Sequence, residues 1–340
     1  MTDARTMSTP RGATMNRMKA ITQRRYGGTE ALELREVERP EPGPDQVLVK
    51  MRAASVNPLD WYFMTGVPFV LRFQAGLRTP KRTTPGADLA GIVEAVGSDV
   101  TRFRPGDDVF GETSGGALAE YVVADEDDLV VKPPSLTFEQ AAAVPVAGFT
   151  ALQGLRDHAK VEPGQHVLVN GAAGGVGTFA VQIGKQLGAE VTGVCSTGNV
   201  EMVRSLGADH VVDYTADDFA SGEVQYDVLF DCAGNRSARE CKRALKQSGT
   251  YVAVGAPRGG GLLGPLKPLV GKMVAFTLAK QRLAFFTATP AVDDLEHLTE
   301  LLDAGRIRPV IDRTYALDDA IEAIGYWSGG HARGKVVVTA

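Results

Sequence analysis

Cysteine is scarce in this chain. Cys195, Cys232 and Cys241 are the only three in 340 residues, and no two of them form a C-x-x-C pair. That excludes a disulfide framework and a cysteine-rich zinc lobe, and it implies a reducing, cytoplasmic setting. Long apolar runs are missing too. None approaches the roughly 20 residues of a membrane span, and no apolar signal-peptide core follows the N-terminus. Cations do not outnumber anions: 36 Lys and Arg against 41 Asp and Glu leave a net charge of −5, with no basic field for nucleic acid. The five histidines, His158, His166, His210, His297 and His331, show no H-x-x-x-H spacing and read as surface or packing residues. Neither a Gly-x-Ser-x-Gly elbow nor a Walker loop occurs, so hydrolysis and phosphoryl transfer have no support.

What is present is ordinary for a globular protein: 44% apolar and 23% charged residues. The length suits about two domains of roughly 150 residues each, large enough to bury a core without disulfides. Thirty-nine glycines favour tight turns and at least one close approach of backbone to a ligand. Residues 1–17 are polar and aperiodic, which predicts a disordered extension, with the fold beginning at Met18.

The first part reads as β-structure. Gln46 to Val56 alternates, and further strands are expected at 90–96, 108–111 and 119–124, separated by Gly-Ser-Asp and Pro-Gly-Asp turns. Such short punctuated strands suggest a barrel or sandwich. From Thr137 to Leu155 the sequence reads as helix, interrupted near Pro145. Strands at 166–170, 190–195, 210–213, 226–231 and 250–255 then alternate with helices at 175–187, 200–206 and 237–245, the rhythm of a parallel sheet covered on both faces. A flexible turn and an amphipathic helix are expected over 259–281, a helix at 293–304, a strand at 308–315, a helix at 317–326 and a strand at 334–339.

The strongest local signal is His166 to Lys185, where an apolar strand runs into glycines that open a helix. The motif aligns as Ala172-x-Gly174-x-x-Gly177, with Ala172 at the usual first glycine. Gly174 would let backbone approach a pyrophosphate, Gly177 would let the helix pack on its strand, and the free N–H groups near Gly175 and Val176 would face the phosphates. Where NAD sites carry an acid about 20 residues on, at the end of the second strand, this chain has Ser196. No carboxylate there repels a 2′-phosphate, which favours NADP(H), with NAD(H) also possible.

The segment 164–185, with Ala-Ala-Gly-Gly-x-Gly, Gln182 and Lys185, resembles the quinone oxidoreductase signature. Ser55-Val-Asn-Pro-Leu-Asp60, 85–97, Phe103-Arg-Pro-Gly-Asp107, 142–150, 206–214 and Gly334-Lys-Val-Val-Val338 extend the likeness over nearly the whole chain from Met18. Together they resemble the medium-chain dehydrogenase/reductase superfamily, in its zinc-independent quinone oxidoreductase-like branch. The resemblance implies an α/β protein: a GroES-like distorted β-barrel over 18–143 and 290–340, and a Rossmann doubly wound parallel sheet over 144–289. It also implies a homodimer. Zinc-dependent relatives carry Cys at the place of Asn57 and Gly-His-Glu at Gly86-Ala87-Asp88, so no zinc is expected here. By the same resemblance Asn57, Asp60 and Tyr62 line the substrate side of the nicotinamide, Thr150 touches it, Tyr214 holds the 2′-phosphate, and Gly255 and Lys335 join the cofactor site. The alternatives are an Asn-Pro turn cap for Asn57, a helix-start carboxylate for Asp60 and barrel packing for Tyr62.

These readings point to NADPH-dependent hydride transfer to a quinone or an α,β-unsaturated carbonyl, with Tyr62, Asn57 or water assisting the substrate oxygen. The partner is then a small apolar carbonyl or quinone. Two rivals stand beside it. An enoyl-thioester reductase would carry a Tyr where this chain has Gly66-Val67-Pro68-Phe69. A dinucleotide-binding redox sensor would show an intact glycine turn beside an eroded pocket. Residues 66–84, with Phe69, Val70, Leu71 and Phe73 beside Arg72, Arg78, Lys81 and Arg82, form either a lid or a solvated loop.

Overall fold

The computed structural model describes residues 16–221, 224–255, 266–277 and 279–340. Its strands are β1 (Arg17–Gln23), β2 (Leu32–Glu38), β3 (Gln46–Val56), β4 (Asp88–Val96), β5 (Asp108–Glu112), β6 (Tyr121–Asp125), β7 (Leu129–Val131), β8 (His166–Asn170), β9 (Glu190–Cys195), β10 (His210–Asp213), β11 (Tyr226–Asp231), β12 (Leu245–Ala253), β13 (Arg282–Phe285), β14 (Ile311–Ala316) and β15 (Lys335–Thr339). Helices are α1 (Pro58–Thr65), α2 (Arg72–Ala75), α3 (Phe138–Ala142), α4 (Pro145–Gln153), α5 (Gly175–Gln186), α6 (Val200–Ser205), α7 (Ala238–Ala244), α8 (Leu266–Thr277), α9 (Val292–Asp303) and α10 (Ala320–Ser328).

Two sheets dominate. One is parallel, in the order β10-β9-β8-β11-β12-β13, and reverses direction between β8 and β11. That reversal is the switch point where doubly wound sheets bind ligands. Its central strands are buried on both faces, which is why β8 reads Val-Leu-Val rather than alternating. The other sheet runs β14-β15-β3-β4-β5-β7, with β6 on β3. Here the chain's last strand pairs antiparallel with β3, Val336 opposite Val56, so the C-terminal segment completes the N-terminal sheet. One apolar cluster runs from Ala53 and Phe110 of that sheet through Ala147 and Phe149 of α4 to Val167 and Val169 of β8, fusing the two sheets at the level of the glycine turn.

Several expectations shift. Strands β1, β2, β7 and β13 were not anticipated, and β12 begins at Leu245, where the expected helix was to end. Arg17 is already in strand β1, opposite Glu38, rather than in the expected extension, whose residues 1–15 lie outside the described residues. Residues 256–265, where the flexible turn was expected, also lie outside them, while the amphipathic helix is α8. The helix broken at Pro145 is two helices continued by a π-turn over 154–159.

Candidate active site

The first part of the site is the glycine turn. Gly171, one residue before the expected motif, takes the left-handed conformation with φ 86°, and its N–H and that of Ala172 both donate to the Val194 carbonyl. Ala172, expected at the cofactor, is instead buried and packed beneath the turn. A Cβ on Gly177 would lie 2.1 Å from the Gly171 carbonyl oxygen, so only glycine fits there. A Cβ on Gly174 would meet nothing closer than 3.5 Å, which leaves open space above the turn. Gly174 is the N-cap of α5, and the first-turn N–H groups of Gly175, Val176 and Gly177 have no intrahelical acceptor. Open space, free donors and the positive helix end fit a pyrophosphate.

The end of β9 carries the ribose side. Asn199 Nδ2 donates to Ser196 Oγ at 3.0 Å, while Asn199 Oδ1 is buried without a partner, a polar atom available to a ligand. Arg333, from the far end of the chain, brings its guanidinium within 3.3 Å of a Cβ built at Gly198. Tyr214, just beyond β10, is 55% exposed beside this turn. Gly255 lies at the end of β12, where a Cβ would strike the Cys232 carbonyl at 1.8 Å.

The two sheets meet at Lys335. Gly334 N–H donates to the Ala173 carbonyl at 2.8 Å, and the Lys335 stem lies against Gly175. Its ammonium points into the other sheet, donating to Asp88 Oδ2 at 3.0 Å and to Asn57 Oδ1. Asp88 Oδ2 also accepts from Asn57 Nδ2 at 2.8 Å and Ser55 Oγ at 2.6 Å, and its Oδ1 accepts from Val146 N–H at 2.9 Å. All the side chains of this network are buried. Asn57 therefore spends its amide on Asp88 and Lys335. Thr150, half-buried on α4, returns its hydroxyl to the Val146 carbonyl at 2.6 Å.

Beside the network opens a cavity of about 590 Å³, lined among others by Leu59, Asp60, Phe63, Met64, Ala87 and Glu112. Asp60 closes a capping box at the start of α1: its Oδ2 accepts from Asn57 N–H at 2.8 Å and its Oδ1 from Gly86 N–H at 3.2 Å. Burial, with the Asp88 carboxylate next, pushes its carboxyl up to about 7. Glu112 ends β5 at the same cavity, and burial together with Asp88 and Asp60 pushes it up to about 8. Tyr62 sits half-buried on α1, but the cavity wall on that helix is Leu59, Asp60, Phe63 and Met64. Residues 66–84 are neither a free lid nor a plain loop. They fold into a short 3-10 turn and α2, and Gln74, Ala75, Lys81 and Arg82 wall the cavity. Tyr26 anchors this wall by donating to the Gly76 carbonyl at 2.5 Å and by stacking under Arg72.

Sequence reasoning missed Glu112, Arg333 and the role of Asp88 as hub. The first ends an ordinary strand, and the others act through partners more than a hundred residues away. Among the described residues, no group of three or more His, Cys, Asp or Glu is placed to hold a metal ion.

Two family models match the chain: "Alcohol dehydrogenase GroES-like domain" over 43–134 and "Zinc-binding dehydrogenase" over 206–338. The chain is 36% identical to the chloroplastic quinone-oxidoreductase QR1 of Triphysaria versicolor, over 94% of this chain and 98% of that protein. It is 35% identical to the chloroplastic NADPH-dependent alkenal/one oxidoreductase of Arabidopsis thaliana, over 94% of this chain and 79% of that one. Among solved structures, the quinone oxidoreductase of Coxiella burnetii superposes with a TM-score of 0.82 at 30% identity, covering 95% of this chain and 99% of that chain. The cytoplasmic expectation is corrected by these relatives, both of which are chloroplastic by name and so point to an organelle. Scarce cysteine marks a reducing setting but does not distinguish one reducing compartment from another.

Proposed function

Because the chain belongs to the medium-chain dehydrogenase/reductase superfamily, in its quinone oxidoreductase-like branch, and is an NAD(P)H-dependent quinone or enone oxidoreductase, we propose that it uses NADPH, works without zinc, and takes its acceptor in the 590 Å³ cavity beside Asp88 and Lys335. The observation that carries this reading is the seam at Gly334–Lys335. It sets the phosphate-binding turn directly against the buried network, whose Asn57 N–H donates to Asp60 in the cavity wall. When bound, the nicotinamide supplies the hydride.

The protein's own residues do the rest. The first-turn N–H groups of α5 hold the pyrophosphate. Arg333 and Tyr214 hold the 2′-phosphate, Asn199 Oδ1 accepts from a ribose hydroxyl, and Ser196 leaves room for the phosphate. Phe63, Met64 and Leu59 exclude water from an apolar acceptor. Thr150 touches the nicotinamide from α4. Asn57 acts as a positioning residue, holding Lys335 and Asp88 in register. The absence of zinc rests on chemistry rather than on an empty place. At Asn57 and Ala87, where zinc relatives carry ligands, this chain offers an amide and a methyl, and the Lys335 ammonium already neutralises Asp88. The outer edge of β13, unpaired among the described residues and carrying Phe285 at 55% exposure, supports a homodimer.

The test is turnover of the purified full chain with NADPH and NADH against a benzoquinone and a small enone. Lower KM for NADPH with both acceptors reduced is the expected result. Turnover of neither acceptor, with tight dinucleotide binding, would favour the sensor instead.

A further inference from the structure

Saturating an enone needs two additions: a hydride at the β-carbon and a proton at the α-carbon. The second needs a donor at the acceptor, because protonation at carbon is slow from water. The carboxyls that line the cavity are Asp60, Glu112 and Asp128, beside the cations Lys81 and Arg82, and Asp128 belongs to the acidic turn Glu126–Asp128. Asn57 is committed to Asp88 and Lys335, and the Lys335 ammonium to Asp88 and Asn57. Asp60 uses both carboxyl oxygens to accept backbone N–H groups. Glu112 differs from Asn57, Lys335 and Asp60. It lines the cavity at the end of β5, is half-buried, and its carboxyl makes no hydrogen bond or ion pair among the described residues.

We propose that Glu112 is the proton donor for enone reduction, a role that rests on the cavity being the acceptor site. Hydride adds to the β-carbon, and the C=C electron pair moves toward the carbonyl to give an enolate. The Glu112 O–H bond then breaks as the α-carbon takes its proton, and the carboxylate left behind is reprotonated from water through the cavity mouth. The charges around it suit an acid that keeps its proton until called on. Asp88 of β4, Asp60 of α1 and Asp128 crowd it with negative charge, while Lys335 of β15 is tied to Asp88 and Lys81 and Arg82 stand on the cavity wall contributed by 66–84. A quinone has less need of this group, because its reduction ends with protonation at oxygen, which water supplies.

The test uses the full chain with NADPH, a cyclic enone and a benzoquinone. Wild-type kcat on the enone should fall as pH rises through about 8. Glu112→Gln should lower enone turnover about 100-fold and erase that limb, with a much smaller loss on the quinone. Glu112→Asp should restore the limb at an intermediate rate. Without cofactor, infrared difference spectra should show a protonated carboxyl that titrates near pH 8 in the wild type and is missing from Glu112→Gln. Far-UV circular dichroism and Tm establish that the variants fold. Retention of the enone rate and its pH limb in Glu112→Gln overturns the proposal while leaving the acceptor reading standing. A folded wild type that reduces quinones but no enone overturns the enone reading itself.

Discussion

Replacing Lys335 by Met is the sharpest probe of how the two sheets are joined. Met keeps the stem that lies against Gly175 but removes the ammonium from Asp88 and Asn57. Asp88 is 0% exposed, so its carboxylate is left without a counter-charge in the interior. Removing one partner of a buried pair costs about 3–5 kcal/mol. Ser55, Asn57 and Val146 still donate to Asp88, which places the cost at the lower end, about 3 kcal/mol. Urea denaturation followed by tryptophan fluorescence measures it, and Tm should drop by about 4 °C. The decisive comparison is Asp88→Asn in the same background. Neutralising the stranded carboxylate should recover most of the loss, because the penalty is that of an uncompensated charge and not of lost packing. A Lys335→Met protein within about 1 kcal/mol of wild type, or a double variant less stable than the single, refutes the reasoning.

The remaining predictions concern the cofactor site and the carboxyls. Gly177→Ala should destabilise the fold and abolish dinucleotide binding, since its methyl meets the Gly171 carbonyl at 2.1 Å, whereas Gly174→Ala should fold normally and lose only affinity, because its methyl points into the open phosphate space; calorimetry with NADPH beside thermal melts separates the two. Arg333→Ala should weaken NADPH about tenfold and leave NADH almost unchanged, the loss of one exposed charge-assisted contact, read by fluorescence titration. Asp60 and Glu112 hold their protons more tightly when folded than unfolded, at about 7 and about 8, so stability should decline as pH rises from about 5 to about 8. Denaturation across that window checks the sign, and a Glu112→Gln variant whose slope matches wild type would count against the assignment. Elemental analysis of untagged protein should find well under one zinc per chain.

The sequence by itself determined what depends on neighbours along the chain. An apolar strand, a run of small residues and a helix opened by Gly174 made the phosphate turn legible, although not the left-handed conformation of Gly171 that starts it. The strand–helix rhythm after residue 164 specified the parallel sheet for the same reason. Strand β1 was harder to read because polar Thr22 and Gln23 are buried beside Ala20 and Ile21, β2 because only Leu32 of its residues is buried, and β13 because it is a four-residue edge strand. Asp60 could be named, but as cap or as site it looked the same from its spacing, and in the structure it is both cap and cavity wall. Only the tertiary structure could decide the rest. Asp88 and Lys335 are 247 residues apart, and their contact exists because β15 pairs with β3 while its first residues touch the glycine turn. Arg333 reaches Gly198 by the same route and supplies a cation the local sequence lacks. The acidity of Glu112 is set by burial and by carboxylates from other elements. Neither quantity has any trace in the residues beside it, because desolvation and Coulomb coupling are functions of distance in space.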